Sequence, residues 1–323
     1  MILTPLVSII IPCWNAEQFV AEAIESALAQ FYPNNEVIVI DDGSTDCSLD
    51  VIKSFGEKVR WETGPNRGAC VARNRGLAIA RGELIQFLDA DDVLLPSKLI
   101  NQVSMMKMAR DQSVFGWYEH VSVAQNSDVK CWKPDIFLLD DSVILALQHI
   151  IQTEPPLHWI ENVRSIGGFD EMLPCNQDYD FNLRLACSGT RFVYDDHQSS
   201  QNYRRKGSVS ADECRRHRYM PGILERAYGM LEQQGALTER RRKVIAHRLA
   251  VVARSLINFS EYRLARRTIR LAKEIHPGGG IQTAYDNKSR LVRNLVGPII
   301  AENCISFFRR FSGQKRRVNN SKL

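Results

Sequence analysis

Three carboxylates follow directly on an apolar run in Phe87-Leu88-Asp89-Ala90-Asp91-Asp92. The stretch from Gly82 to Leu88 reads as a strand, so the acids stand where that strand ends in a turn. Asp89 and Asp91 are two residues apart and share one side of an extended chain. Hard oxygen donors gathered in this way suit Mg²⁺ or Mn²⁺, and such an ion suits a diphosphate. The alternative is an acidic turn solvated by water. A second acidic pair, Asp178 and Asp180, opens a helix. Either both complement the helix dipole or one is a general base aimed into a cleft. Arg67, Arg73 and Arg75 surround the start of another helix, where the helix N-terminus also favours anions. Each of these arginines is alternatively ordinary surface.

The elements that must position these groups alternate regularly. Val7 to Pro12 and Glu36 to Ile40 are short, β-branched, nearly continuous apolar runs, the signature of strands buried on both faces. Lys58 to Trp61 is a third strand and Glu83 to Leu88 the fourth. Between them Glu17–Gln30, Ser48–Phe55 and Gly68–Ala80 read as helices, the first with apolar residues at helical spacing. Strand alternating with helix predicts right-handed βαβ units and a parallel sheet. Ligands of such sheets gather at the carboxyl ends of the strands. Asn15, Asp42 and Asp89 all fall just past such ends. Further on, helices are expected over 96–110, 142–151 and 178–188, with strands over 113–123 and 191–194. Glu154-Pro155-Pro156 reads as a helix stop.

The 323 residues allow about two domains. The net charge of +5 hides a division. From Gln201 to Leu323 there are 27 Lys/Arg against 9 Asp/Glu, a balance of +18; residues 1–200 hold the other 15 basic and 28 acidic groups, a balance of −13. The basic part either meets an anionic membrane surface, glycan or nucleic acid, or is a solvated face. Beyond Ser210 the pattern is helical, and 246–276 resembles one helix pair of a tetratricopeptide-type repeat. Gly278-Gly279-Gly280 reads as a hinge, and Leu291 to Phe311, with the basic residues at 309–317, as a segment for a membrane interface or a packed helix. The eight cysteines are scattered without a C-x-x-C, as in a reducing compartment. The opening residues read as a strand rather than a signal peptide. No G-x-G-x-x-G or G-x-x-x-x-G-K-[ST] occurs, so phosphate charge must be met by a metal or by arginines.

Five segments together carry a resemblance. Val7-Ser8-Ile9-Ile10-Ile11-Pro12-Cys13-Trp14-Asn15, Val39-Ile40-Asp41-Asp42-Gly43-Ser44-Thr45-Asp46, Asn66-Arg67-Gly68 with Ala72-Arg73-Asn74, Phe87 to Asp92, and Gly167-Gly168-Phe169-Asp170-Glu171 with Gln177-Asp178-Tyr179-Asp180 are similar, in order and spacing, to family 2 glycosyltransferases. The resemblance covers residues 5–210. It implies an α/β chain of GT-A type, a Rossmann-like, mostly parallel sheet flanked by helices, with an appended C-terminal helical region. Residues 1–110 would be the nucleotide-sugar-binding half, 111–210 the acceptor-binding half and 211–323 a basic helical region.

The resemblance also implies an activity: transfer of one sugar, with inversion, from a nucleotide-diphosphate donor to a hydroxyl of a glycan, lipid-linked or protein-linked acceptor. Pro12, Asn15, Asp42, Arg73 and Asp89 would bind the donor, Asp91 the Mn²⁺ or Mg²⁺, and Asp178 would be the base. The family's Glu-Asp pair is here Gln177-Asp178, and the His often found between Tyr203-Arg204 and Ser208 is replaced near Lys206. The Q-x-x-R-W motif of processive synthases is missing, which implies single-sugar transfer. Glycan assembly at the cytoplasmic face of a membrane is expected, without nucleic acid. Two other classes compete: a sugar nucleotidyltransferase, which would need a Gly-rich loop where Cys13-Trp14-Asn15-Ala16 stands, and a non-catalytic scaffold. Trp132 and Trp159 are candidates for stacking on a sugar ring or for packing, and Ser113–Lys133 and Pro155–Glu161 for shaping the acceptor side.

Overall fold

The computed structural model describes residues 4–106, 109–122, 129–204 and 212–277. Gly278-Gly279-Gly280, Leu291–Phe311, the basic tail, Lys206 and Ser208 lie outside them. The chain divides into two compact units, Met1–Ala211 and Asp212–Leu323.

The first unit begins β1 (Val7–Cys13), α1 (Val20–Leu28), β2 (Asn35–Asp41), α2 (Ser48–Ser54), β3 (Arg60–Thr63), α3 (Ala69–Ile79) and β4 (Leu84–Phe87). It continues β5 (Val93–Leu94), α4 (Lys98–Met106), β6 (Gln112–Ser122), β7 (Val129–Trp132), α5 (Ser142–Gln148), β8 (Pro156–Trp159), α6 (Ile160–Ser165), α7 (Gln177–Cys187) and β9 (Arg191–Arg204). One sheet runs β3-β2-β1-β4-β8-β6-β9-β5, with β7 added on β6. From β3 to β4 every pairing is parallel, which is what buried apolar runs separated by helices dictate. Every residue of β1 is buried. Helix α3 lies so close on β1 that a Cβ on Gly76 would come 2.3 Å from Ile10 Cγ2, so only glycine fits there.

Beyond β4 the sheet is mixed. β8 runs antiparallel to both β4 and β6, while β6 and β9 are parallel. β8 is a strand that sequence patterning misses, because Pro155-Pro156 looks like a helix stop. Proline is tolerated as the first residue of a strand, and Pro156 holds that place, opposite Phe115 of β6. All four β8 residues are buried, so the stretch from Pro156 to Trp159 is core rather than an acceptor-facing surface. β9 is also much longer than sequence suggests, because its polar half is supported by the neighbouring β6, with an irregularity around Gly116 and Trp117.

The second unit contains α8 (Glu213–Gln233), α9 (Glu239–Asn258) and α10 (Tyr262–Ile275). Asp212 and Thr238 cap α8 and α9 by accepting from the backbone N–H groups of Arg215 and Arg241. Leu224, Ala227, Leu249, Leu256, Ala265 and Ala272 are among the buried faces of these helices. Arg263, Arg266, Arg267, Arg270 and Lys273 stay exposed on α10. No helix among the described residues is long and apolar enough to cross a membrane.

Candidate functional site

The parallel strands deliver their polar turns to one edge. Asn15 follows β1 in a left-handed conformation, φ 49°, which Asn adopts more readily than most residues. Its side-chain oxygen accepts from Thr45 N–H at 2.8 Å, and its own N–H donates to Ser44 Oγ at 3.0 Å. Asp42, just past β2, is buried and accepts from the backbone N–H groups of Arg67 (3.0 Å) and Gly68 (2.7 Å). Asp41 accepts from the Thr63 hydroxyl at 2.5 Å. The loops after β1 and β2 and before α3 are therefore stapled together. Pro12 is buried in β1, opposite Ile40.

Arg73, one turn into α3, is nearly inaccessible at 4% exposure. It donates to Asp89 Oδ1 at 2.6 Å and to Gln177 Oε1 at 3.0 Å. The ring of Phe169 lies 5.0 Å from the guanidinium carbon. Arg73 thereby ties the turn after β4 to the first turn of α7. Gln177 is neutral where the resemblance leads one to expect Glu, so among these two acceptors only Asp89 balances the guanidinium charge. The Nε of Arg73 is buried and has no hydrogen-bond partner among the described residues. Arg75, by contrast, pairs with Glu62 and the Thr63 carbonyl, and Arg67 is exposed.

The acidic turn has unequal members. Asp92 is buried and accepts from Asn202 Nδ2 (2.7 Å) and Tyr203 N–H (2.8 Å), both on β9. The same Asn202 amide donates to Glu154 Oε2 at 2.7 Å. Asp89, Asp92 and Glu154 have carboxylate oxygens within 4.8 Å of one another. Asp91 is half-buried and adjoins this group without belonging to it. Burial, then the charges of Asp89 and Asp91, pushes the Asp92 carboxyl well above its usual range. Burial, then Asp89, Asp92 and Asp178, does the same to Glu154. Crowded, dehydrated carboxylates are the donor set that a hard divalent cation requires, and the residues fit such an ion.

Asp178 and Asp180 separate cleanly. Asp180 is bonded to Arg184 at 2.7 Å inside the protein, and Arg184 donates to the carbonyls of Ile166 and Gly168. That pair holds the turn before α7. Asp178 instead accepts from the Thr153 hydroxyl at 2.5 Å. Burial raises its carboxyl, Arg73 opposes the rise, and Asp89 adds to it. A carboxylate lifted toward neutrality is suited to accept a proton.

Arg73 and Asp89 are in direct contact and both act electrostatically on Asp178, while Asp42 ties down the loop that leads into α3 and Asn15 the turns after β1 and β2. The participants that sequence reasoning does not single out are Thr153, Glu154 and Asn202. They come from a loop and a late strand with no motif of their own. Trp159 proves to be core: it is buried, donates to the Ala109 carbonyl and underlies Arg110. Trp132 stacks on Tyr118, with ring centroids 4.9 Å apart.

Residues 8–158 match the family model described as Glycosyl transferase family 2. They form a family 2 glycosyltransferase domain. An uncharacterized glycosyltransferase of Rickettsia felis is 37% identical to the domain-bearing part over 189 residues, 56% of this chain and 31% of that protein. The chain spans about a third of the length of that first curated relative. Solved structures share the fold of the chain. The crystal structure of S. aureus TarS 1-349 aligns with a TM-score of 0.67 at 16% identity, covering 95% of this chain and 92% of that one. The mannosyltransferase PcManGT from Pyrobaculum calidifontis, in complex with GDP-Man and Mn²⁺, aligns with a TM-score of 0.54 at 19% identity, over 91% and 88%.

Proposed function

We propose that the chain transfers a single sugar from a nucleotide-diphosphate donor to a hydroxyl of a glycan or lipid-linked acceptor, with inversion at the anomeric carbon. The observation that carries the reading is Asp178, a carboxylate raised by burial and held by Thr153 beside the Arg73–Asp89 pair. Pro12, Asn15, Asp42, Arg73 and Asp89 form the donor side. Arg73 brings a cation with an unused N–H to an otherwise acidic place, and guanidinium recognises phosphate oxygens well.

An acceptor hydroxyl is a poor nucleophile until its proton is taken. Asp178 accepts that proton as the hydroxyl oxygen forms its bond to the anomeric carbon and the bond to the diphosphate oxygen breaks. With the base on the face of the sugar opposite the leaving group, the displacement would be inverting. Asp89, Asp92 and Glu154, with Asp91 adding its charge, would hold a Mn²⁺ or Mg²⁺, which when bound supplies Lewis-acid relief of charge on the departing diphosphate. The manganese complex of a protein with the same fold supports that choice of ion. The exposed arginines of α10 suit an anionic membrane surface, as glycan assembly at a membrane face would need.

A donor panel tests the reading. Thermal unfolding is followed with UDP-, GDP- and dTDP-sugars in the presence of Mn²⁺, because a ligand of the native state raises apparent stability. One nucleotide class is expected to stabilise both wild type and Asp178→Asn, while transfer falls by about 10²–10⁴-fold in the variant, the range for loss of a general base. Undiminished turnover in Asp178→Asn removes Asp178 from its role.

A further inference from the structure

Lys98 opens α4 and is 1% exposed, yet it is hydrogen-bonded to no carboxylate. Its ammonium donates to Gln86 Oε1 on β4 and to Gln102 Oε1 one turn along α4, the latter at 2.7 Å. Both glutamines are fully buried. An amide has one accepting and one donating end. With its oxygen turned to the ammonium, each glutamine must present Nε2 to the other side. Gln86 Nε2 donates to the Glu154 carbonyl at 2.8 Å, and Gln102 Nε2 donates to the Pro155 carbonyl at 3.0 Å. A reversed amide would set donor against donor and orphan two buried carbonyls.

The segment held in this way is the one that serves the site. Thr153 donates to Asp178, and the Glu154 side chain joins Asp89 and Asp92. A buried ammonium is costly to desolvate, but here it satisfies two buried amide oxygens that an apolar side chain of similar length would leave without a donor. We propose that Lys98 is a positioning residue: through Gln86 and Gln102 it fixes the 153–155 backbone so that Glu154 completes a divalent-cation site. The inference rests on the reading of Asp89, Asp92 and Glu154 as that site.

The test uses the full chain and Mn²⁺ alone, with binding by calorimetry and thermal unfolding in the absence of metal. Lys98→Met leaves the two buried amide oxygens without their donor and is expected to unfold below the wild-type temperature without Mn²⁺; with binding measured well below that temperature, its affinity for Mn²⁺ is expected to fall by about 10- to 100-fold, the usual effect of losing an outer support of a metal site. Gln102→Met, which removes one of the two arms, is expected to lose affinity in the same direction, and it decides the matter if Lys98→Met does not fold. Glu154→Gln reads the underlying site. Unchanged Mn²⁺ affinity in Glu154→Gln removes the cation from the cluster and the proposal with it. Loss in Glu154→Gln together with wild-type affinity in Lys98→Met or, failing that, in Gln102→Met overturns the role of Lys98 alone.

Discussion

Arg73 on α3 and Asp89 after β4 meet at 2.6 Å, with the arginine almost wholly buried and the aspartate about one-third exposed. This contact joins the donor side to the acidic turn. The same guanidinium reaches Gln177, next to the proposed base. Arg73→Lys keeps the charge but cannot serve both partners with a planar fork. The expected result is an increase of about tenfold or more in donor KM, with a loss of about 2 kcal/mol in stability, below the range for breaking a fully buried pair because Asp89 retains some water. Steady-state kinetics and urea unfolding check the two parts.

The hydroxyl of Thr153 holds Asp178 at 2.5 Å and favours its ionised form. Thr153→Val removes that hydrogen bond while keeping the shape. The folded carboxyl then rises further, so the active, ionised base is lost at a higher pH. The acid limb of the kcat profile is expected to move upward, by up to about one unit for a lost hydrogen bond worth roughly 1.4 kcal/mol. An acid limb that stays in place assigns it to another group.

His158 of β8 is buried beneath the site, shares a hydrogen bond with Ser113 Oγ at 2.8 Å and contacts the rings of Phe87 and Phe181. Burial, with Lys98 nearby, pushes its imidazole down to about 3. The unfolded chain binds this proton below about 6.5 while the folded one does not. The stability this histidine contributes is therefore complete above that value and is lost as pH falls toward 3. Wild type is expected to lose up to about 1.4 kcal/mol per pH unit over this window from this group, and His158→Gln to show a shallower acid dependence. Urea unfolding at pH 7, 6 and 5 measures the difference.

Gly168 adopts φ +71°, and a Cβ there would stand 2.5 Å from Asn74 Oδ1. Asn74 in turn holds the Phe169 backbone, accepting from its N–H and donating to its carbonyl. Gly168→Ala should cost about 1–3 kcal/mol from strain at this conformation. It should also displace Phe169 from beneath Arg73, so donor affinity falls along with the melting temperature. Unfolding and donor titration on the one variant test both.

Much of the first half of the domain was legible in its residues. β1, β2 and β4 are apolar runs because parallel strands are covered on both faces, and the turns at Asn15, Asp42 and Asp89 follow from that topology. Asp178 could be named from its motif, but not told from Asp180 by any local property. Both stand in the first turn of α7, and their partners separate them, Arg184 beside Asp180 and the Thr153 hydroxyl on Asp178. Asp91 is the metal residue that the resemblance implies; the carboxylates whose oxygens lie within 4.8 Å of one another are Asp89, Asp92 and Glu154, the last contributed by a segment with no motif.

The sequence by itself determined the strand–helix alternation, the acids at the strand ends and the family, because these are written in local periodicity and in contiguous motifs. Tertiary structure alone decided that β8 slots antiparallel between β4 and β6. That placement carries Thr153 and Glu154 to the acidic turn, brings Asn202 across from β9 and encloses Lys98. The physical reason is that sheet pairing and burial are relations between distant segments. A carboxylate acquires its partners and its proton affinity from what the fold sets beside it.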